Sequence, residues 1–131
     1  MLRGVSKCHL IYARSLLERR EYSKAITMFK KTLDSLTILI GLLSNKNLIA
    51  LYSHSPNMKK RDAAFMLLLT YINMAYCFQL TGKLEETMSS LEEAEFVVQY
   101  FLNDSSEAKE LVSKFRGILT KAVVVYDRSS A

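Results

Sequence analysis

The sequence predicts an all-α fold of about five helices. Half of the 131 residues are hydrophobic, whereas only four are glycine and one is proline, a composition that favours helices over a turn-rich β fold. Apolar residues recur three or four positions apart through most of the chain, and no stretch alternates as a half-buried strand would. One domain, residues 1–131, accommodates this pattern, because a chain of this length buries well over half of its unfolded surface.

The first pair of helices is predicted at residues 2–20 and from Tyr22 onward, with a polar turn that lacks glycine between them. The second helix is elongated. From Phe29 its apolar residues follow a 4, 3, 4, 3 spacing, as in a coiled-coil seam, and residues 37–43 are apolar on nearly every side. We predict a loop insertion at residues 44–61, which contain Pro56 and several asparagine and serine residues.

The second pair of helices is predicted at residues 62–80 and 83–102. Gly82 between them suits a helix end that needs a positive φ. Leu84, Met88, Leu91 and Ala94 are expected on the inner stripe of the fourth helix. A fifth helix is predicted at about residues 106–126, started by Asp104 or a following serine as N-cap. Its inner face is expected to include Leu111, Phe115 and Ile118.

The two helix pairs carry small and large residues in the same order around their turns. In the second pair these residues are Tyr71, Met74, Ala75, Phe78, Gly82, Leu91 and Ala94. In the first pair they are Ala13, Leu16, Ala25 and Phe29, and His9 stands where an aromatic residue is usual. This order resembles the tetratricopeptide repeat. The resemblance implies two helical hairpins stacked as part of a right-handed α-superhelix, with the fifth helix after them.

Composition and charge restrict where such a chain works. The two cysteines are far apart and form no CxxC motif, and the N-terminus lacks the apolar core of a signal peptide, so we expect an intracellular protein of the cytoplasm or nucleus. The apolar run at residues 36–43 is too short to cross a bilayer, and no membrane partner is expected. Residues 1–62 hold 12 Lys and Arg against 4 Asp and Glu, whereas residues 63–131 hold 6 against 9.

No motif in the sequence indicates catalysis. There is no glycine-rich phosphate loop, GxSxG or HExxH pattern. Cys8 and His9 are adjacent, so on a helix they diverge by about 100° and do not chelate one metal ion together. We therefore expect no enzymatic activity, no metal and no cofactor. The carboxylate clamp of tetratricopeptide co-chaperones is also missing, because Leu10 and Arg14 occupy its lysine and asparagine positions and only Asn73 matches.

The leading hypothesis is a non-catalytic protein–protein interaction module or scaffold. It is expected to bind an acidic or helical peptide along the first helices of the repeats, or to associate through the end of its second helix, as a self-associating adaptor or part of a larger assembly. A homo-oligomer or a constitutive hetero-complex is expected, since two repeats are fewer than a stable array normally needs. The residues predicted to bind a partner are Ile38, Leu39, Leu42, Leu43, Leu48, Ile49, Tyr52, Lys59, Lys60 and Arg61.

Two alternatives remain open at this stage. One is a three-helix domain similar to the microtubule-interacting-and-transport fold, which binds short amphipathic peptides and would end near residue 80. The other is a basic nucleic-acid adaptor that uses Lys59, Lys60 and Arg61 with the basic residues of the first two helices. It lacks an aromatic-interleaved basic motif or a recognisable nucleic-acid-binding module.

Overall fold

The chain folds into helices throughout the part that the structure describes. In this computed structural model the backbone is described for residues 2–44 and 60–130, and the side chains for residues 7–41 and 60–118. The helices are α1 (Leu2–Glu18), α2 (Tyr22–Ser44), α3 (Lys60–Leu80), α4 (Leu84–Phe101) and α5 (Ser106–Ser130). These residues contain no strand, so the predicted all-α fold is confirmed. Most of the predicted insertion at 44–61 lies outside the described residues.

The turn between α1 and α2 closes with a pair of backbone hydrogen bonds. The N–H of Glu21 donates to the carbonyl of Leu16 at 2.9 Å, and the N–H of Arg20 donates to that of Leu17 at 3.0 Å. This pairing is a Schellman motif, which satisfies carbonyls at the end of a helix. Arg20 occupies its left-handed position with φ of 63°, a conformation that glycine adopts more readily than any residue with a Cβ.

The turn between α3 and α4 has the same geometry. The N–H of Lys83 donates to the carbonyl of Phe78 at 2.9 Å, and the N–H of Gly82 donates to that of Gln79 at 3.1 Å. Gly82 holds φ of 75°. The two hairpins are therefore equivalent in structure at an offset of 62 residues, with Arg20 in the place of Gly82.

This equivalence predicts opposite effects on stability for two substitutions. Gly82→Ala should lower the free energy of unfolding by about 1 kcal/mol, since alanine is disfavoured at positive φ and the new methyl group would meet nothing within 4 Å. Arg20→Gly should raise it by up to about 1 kcal/mol, because it relieves the same backbone cost. Urea denaturation of the two variants measures both effects. A loss of stability in Arg20→Gly would show that contacts of the arginine side chain outweigh the free-energy cost of its positive φ.

The core continues through both hairpins. Phe29 lies in a first cluster, which α1 and α2 share with Met74, Cys77 and Phe78 of α3. Leu68 lies in a second cluster, to which α2, α3, α4 and α5 all contribute. The helices α2 and α3 therefore belong to both clusters and join the two hairpins.

The residues predicted to pack the repeats lie inside. Ala13 and Ala75, which are 62 positions apart, are both 0% exposed. The two helices of each hairpin therefore approach closely at a small residue. Tyr71 is half-buried, and burial raises the pKa of its phenol, as does the nearby carboxylate of Glu93 to a smaller extent. Gly82 forms the turn described above. The others are buried: Leu16, Ala25, Phe29, Met74, Phe78, Leu91 and Ala94.

The stripe of α4 differs from the prediction. Leu84 and Met88 are exposed, whereas Thr87 and Ser90 are buried. Thr87 tolerates burial because its hydroxyl donates to the carbonyl of Lys83 at 2.7 Å, so the helix turns this polar residue inward at no loss of hydrogen bonding.

The start of α5 is fixed by a serine, and one residue of its predicted inner face is exposed. The N–H of Ala108 donates to the side chain of Ser105 at 3.1 Å, so Ser105 and not Asp104 is the N-cap. Ala108 and Val112 are buried, but Ile118 is 47% exposed. Ile118 stays exposed because the described neighbours of α5, α3 and α4, cover only part of its surface.

The helices pack mainly on their neighbours in the chain. The helix α1 packs against α2, α2 against α3, and α3 against α4, while α5 packs against α4 and α3. In addition α1 contacts α3, whereas the backbones of α2 and α4 do not approach each other closely within the described residues. The helices α1, α3 and α5 thus form one connected row with α3 in the middle. We call the surface of these three helices the inner face.

Within the described residues, the central helix α3 is the one that is long and apolar enough to resemble a membrane span. A stretch of 18 residues in α3 has a mean hydropathy of 1.5, and 56% of this stretch is buried inside the protein. Its position between α2 and α4, with α1 and α5 at its sides, accounts for this composition, because neighbours cover the helix in several directions.

Candidate functional site

A groove opens on the inner face between α1 and α3. Its volume is about 550 Å³, within the range of ordinary ligand sites. The end of α1, the following turn and the second half of α3 form its walls. It is lined by Arg14, Leu17, Glu18, Arg20, Tyr22, Asn73, Tyr76 and Leu80.

The wall from α3 presents an apolar surface with one amide. Asn73, Tyr76 and Leu80 lie three and four residues apart, so they share one face of the helix. Tyr76 is 41% exposed and Leu80 is 45% exposed. The amide nitrogen of Asn73 donates to the carbonyl of Leu69 at 2.7 Å. The amide oxygen and the second N–H of Asn73 then remain for a ligand.

The aromatic surface continues from α3 onto α5. The rings of Tyr76 and Phe115 meet edge to face, with centroids 6.3 Å apart and an interplanar angle of 65°, a favoured geometry for an aromatic pair. Tyr76 therefore contributes to the groove and also links α3 to the next helix of the inner face.

The wall from α1 and its turn supplies the charge. Arg14, Glu18 and Arg20 are all exposed, and within the described residues none of their side chains forms a hydrogen bond or ion pair. Arg14 and Glu18 are one helical turn apart, but the basic residue comes first, which is the weaker order for such a pair. The groove therefore presents two free guanidinium groups and one free carboxylate.

The apolar residues predicted to bind a partner divide at the end of α2. Ile38 is 55% exposed, as that prediction requires. Leu39 is only 9% exposed and belongs to the core cluster that α2 shares with the first turns of α3. Leu39 is thus not available on the surface of the single chain, and this part of the prediction is corrected. The side chains of Leu42, Leu43, Leu48, Ile49 and Tyr52 lie outside the described residues.

The basic residues of that set lie away from the groove. Lys60 places its ammonium group 5.3 Å from the ring centroid of Phe101, and Arg61 pairs with Asp104 at 2.8 Å. The hydrogen bond and charge of Arg61 lower the pKa of the Asp104 carboxyl. Lys60 therefore contacts the end of α4, and Arg61 pairs with the turn between α4 and α5. Lys59 lies outside the described residues.

A second, smaller cavity of about 310 Å³ adjoins these residues. It is lined by Lys60, Arg61, Tyr100, Phe101 and Asp104. Phe96 and Tyr100 stack beside it at 4.2 Å between ring centroids, 51% and 64% exposed. The Arg61–Asp104 ion pair already uses the strongest charges of this cavity, which makes it the weaker candidate site.

Groups suited to metal or thiol chemistry are scattered. The described residues contain no cluster of three histidine, cysteine, aspartate or glutamate side chains that would hold a metal ion. Cys8 is exposed and Cys77 is buried. Burial raises the pKa of the Cys77 thiol, against a smaller opposite effect of Lys83, and its Sγ lies 3.6 Å from the carbonyl of Tyr22. His54 lies outside the described residues.

The spacing of apolar residues indicated the helices of the groove but not most of its lining residues. One signal was present, since Arg14 and Tyr76 directly follow the small residues Ala13 and Ala75. A helical residue next to a buried position is rotated by about 100°, which puts it at the edge of the interface.

Comparisons with protein-family models, with curated proteins and with solved structures give no match to this chain. The geometry of the inner face is therefore the basis for assigning a function.

Proposed function

We propose that this chain is a non-catalytic protein-interaction module of tetratricopeptide type, and that it binds a segment of a partner protein in the groove of its inner face. The observation that carries the proposal is the exposure of Tyr76 and Leu80 in a concave site between two helices. Exposed apolar side chains in a concavity gain free energy when a ligand covers them. The proposal places the protein inside the cell, as a scaffold or a subunit of a larger assembly.

The layout of the helices supports the repeat over a shorter domain. Ala94 and Leu102 of α4 and Val112 of α5 lie in the same core cluster as Leu68 of α3. A three-helix domain that ended near residue 80 would leave the α3 side of this cluster uncovered. The common turn geometry at an offset of 62 residues favours the same interpretation.

The groove is tested with short random peptides displayed on phage and selected on the full chain. Selected peptides, synthesised with a fluorescent label, should bind in an anisotropy titration. Tyr76→Ala should weaken their binding at least tenfold, because a central aromatic anchor typically contributes more than about 1.4 kcal/mol.

The matched control is Tyr100→Ala, which removes a tyrosine that is 64% exposed from α4, away from the groove. It should leave the affinity unchanged. Peptides that respond to Tyr100→Ala and not to Tyr76→Ala would move the site to the smaller cavity and overturn the proposal.

A further inference from the structure

We infer that the end of the groove beside the α1–α2 turn binds a carboxylate, so that the ligand is an acidic peptide segment with an aromatic or aliphatic residue next to its Asp or Glu. This inference rests on the proposed function and specifies the class of peptide.

The groove carries more positive than negative charge. Arg14 and Arg20 line it together, and neither guanidinium has an ionic partner within the described residues. Glu18 is the one acidic residue of the lining, so the balance of the site is positive. A guanidinium group presents paired N–H donors that match the two oxygens of a carboxylate.

The backbone at Arg20 has a positive φ, which is unusual for a residue with a side chain. Its φ of 63° is the conformation that glycine holds at the equivalent position in the other hairpin, where Gly82 has φ of 75°. A side chain is thus present where the turn favours a residue without one. Residues in such strained conformations concentrate at binding sites, and the side chain of Arg20 lies in the wall of the groove.

An apolar surface lies in the same groove as the two arginines. Leu17, Tyr76 and Leu80 line the same groove, and the latter two are exposed. An acidic residue bound at the arginines would place its neighbour in the ligand against this surface. A peptide that has both features gains from ion pairing and from apolar burial, and the charge also accelerates its encounter with the groove.

A nucleic-acid strand is the less favoured ligand of the same site. Phosphates also bind arginine, but nucleic-acid grooves combine a longer basic track with a series of stacking aromatic residues. The described groove offers two arginines opposed by Glu18, with Tyr22 and Tyr76 as its only aromatic residues.

The test compares phage selections of short random peptides on the wild-type chain and on Arg20→Gly. Peptides selected on the wild type should be enriched in Asp or Glu beside an aromatic or aliphatic residue, and those selected on Arg20→Gly should not. In anisotropy titrations, replacing that Asp or Glu by Asn or Gln should weaken binding to the wild type about tenfold.

Two properties of Arg20→Gly separate a binding role from a structural one. The variant should lose the preference for the acidic peptide while it unfolds at a higher urea concentration than the wild type. Arg14→Gln should lose the same preference, whereas Lys30→Gln, which removes an exposed charge from α2, should keep it.

The outcomes distinguish this inference from the proposed function. Peptides that need Tyr76 but show no acidic preference overturn the carboxylate site and leave the groove intact. Peptides whose affinity is unchanged by Tyr76→Ala overturn both the carboxylate site and the proposed function. A labelled single-stranded oligonucleotide that binds more tightly than the selected peptides, and is lost in Arg14→Gln, overturns the inference in favour of nucleic acid.

Discussion

Leu39→Asp should lower the free energy of unfolding by about 4 kcal/mol, because it places a carboxylate in an apolar cluster without a partner. Leu39 is 9% exposed and shares that cluster with Ala63, Ala64 and Leu67 at the start of α3. Circular dichroism during urea denaturation measures the change. The expected result is a large shift of the midpoint towards lower urea.

The neighbouring residue provides the matched control. Ile38 is 55% exposed, so Ile38→Asp should change the free energy of unfolding by less than about 0.5 kcal/mol. If the two variants are equally stable, the packing of α2 on α3 described above is wrong. Light scattering on Ile38→Asp also tests self-association through this end of α2, since an oligomer held by Ile38 would dissociate.

Phe29→Ala should lower the free energy of unfolding by about 3–5 kcal/mol, the usual cost of deleting a fully buried aromatic side chain and leaving a cavity. Phe29 is 0% exposed and lies where α1, α2 and α3 meet. Its loss therefore weakens the first hairpin and also the joint between the two hairpins. Thermal unfolding followed by calorimetry measures the effect.

The control for this substitution is a phenylalanine on the surface. Phe96 is 51% exposed and stacks on Tyr100, so Phe96→Ala should cost less than about 1 kcal/mol. A comparable loss in both variants would mean that the outer surface of α4 is covered in solution, by another copy or by a partner.

The packing of the hairpins was predictable because it depends on local spacing. Small residues such as Ala13, Ala75 and Ala94 mark where helices cross closely, and large ones such as Phe29 mark what fills the space between them. These positions follow from the helical period and from the order of residue sizes.

The surface of α2 was not predictable from spacing alone. Ile38 and Leu39 are both large and aliphatic, and in a helix that is apolar on nearly every side the sequence does not say which side a neighbour covers. The packing of α3 against α2 decides which side is covered, and this contact joins residues that are distant in the chain. The same holds for α4, where Thr87 is buried and Met88 is exposed.

The groove was the least predictable feature. It lies between α1 and α3, with Arg14 and Tyr76 in its lining, and neither residue belongs to a motif. The unusual backbone of Arg20 is likewise invisible in a turn whose sequence shows only polar residues.

The contact between Tyr76 and Phe115 connects the groove to the packing of the last helix. The two rings meet edge to face across α3 and α5. Tyr76 also lines the groove. A peptide that contacts this tyrosine therefore also acts on the packing of α5, and the position of α5 against α3 should shift with the size of the side chain that the groove accepts.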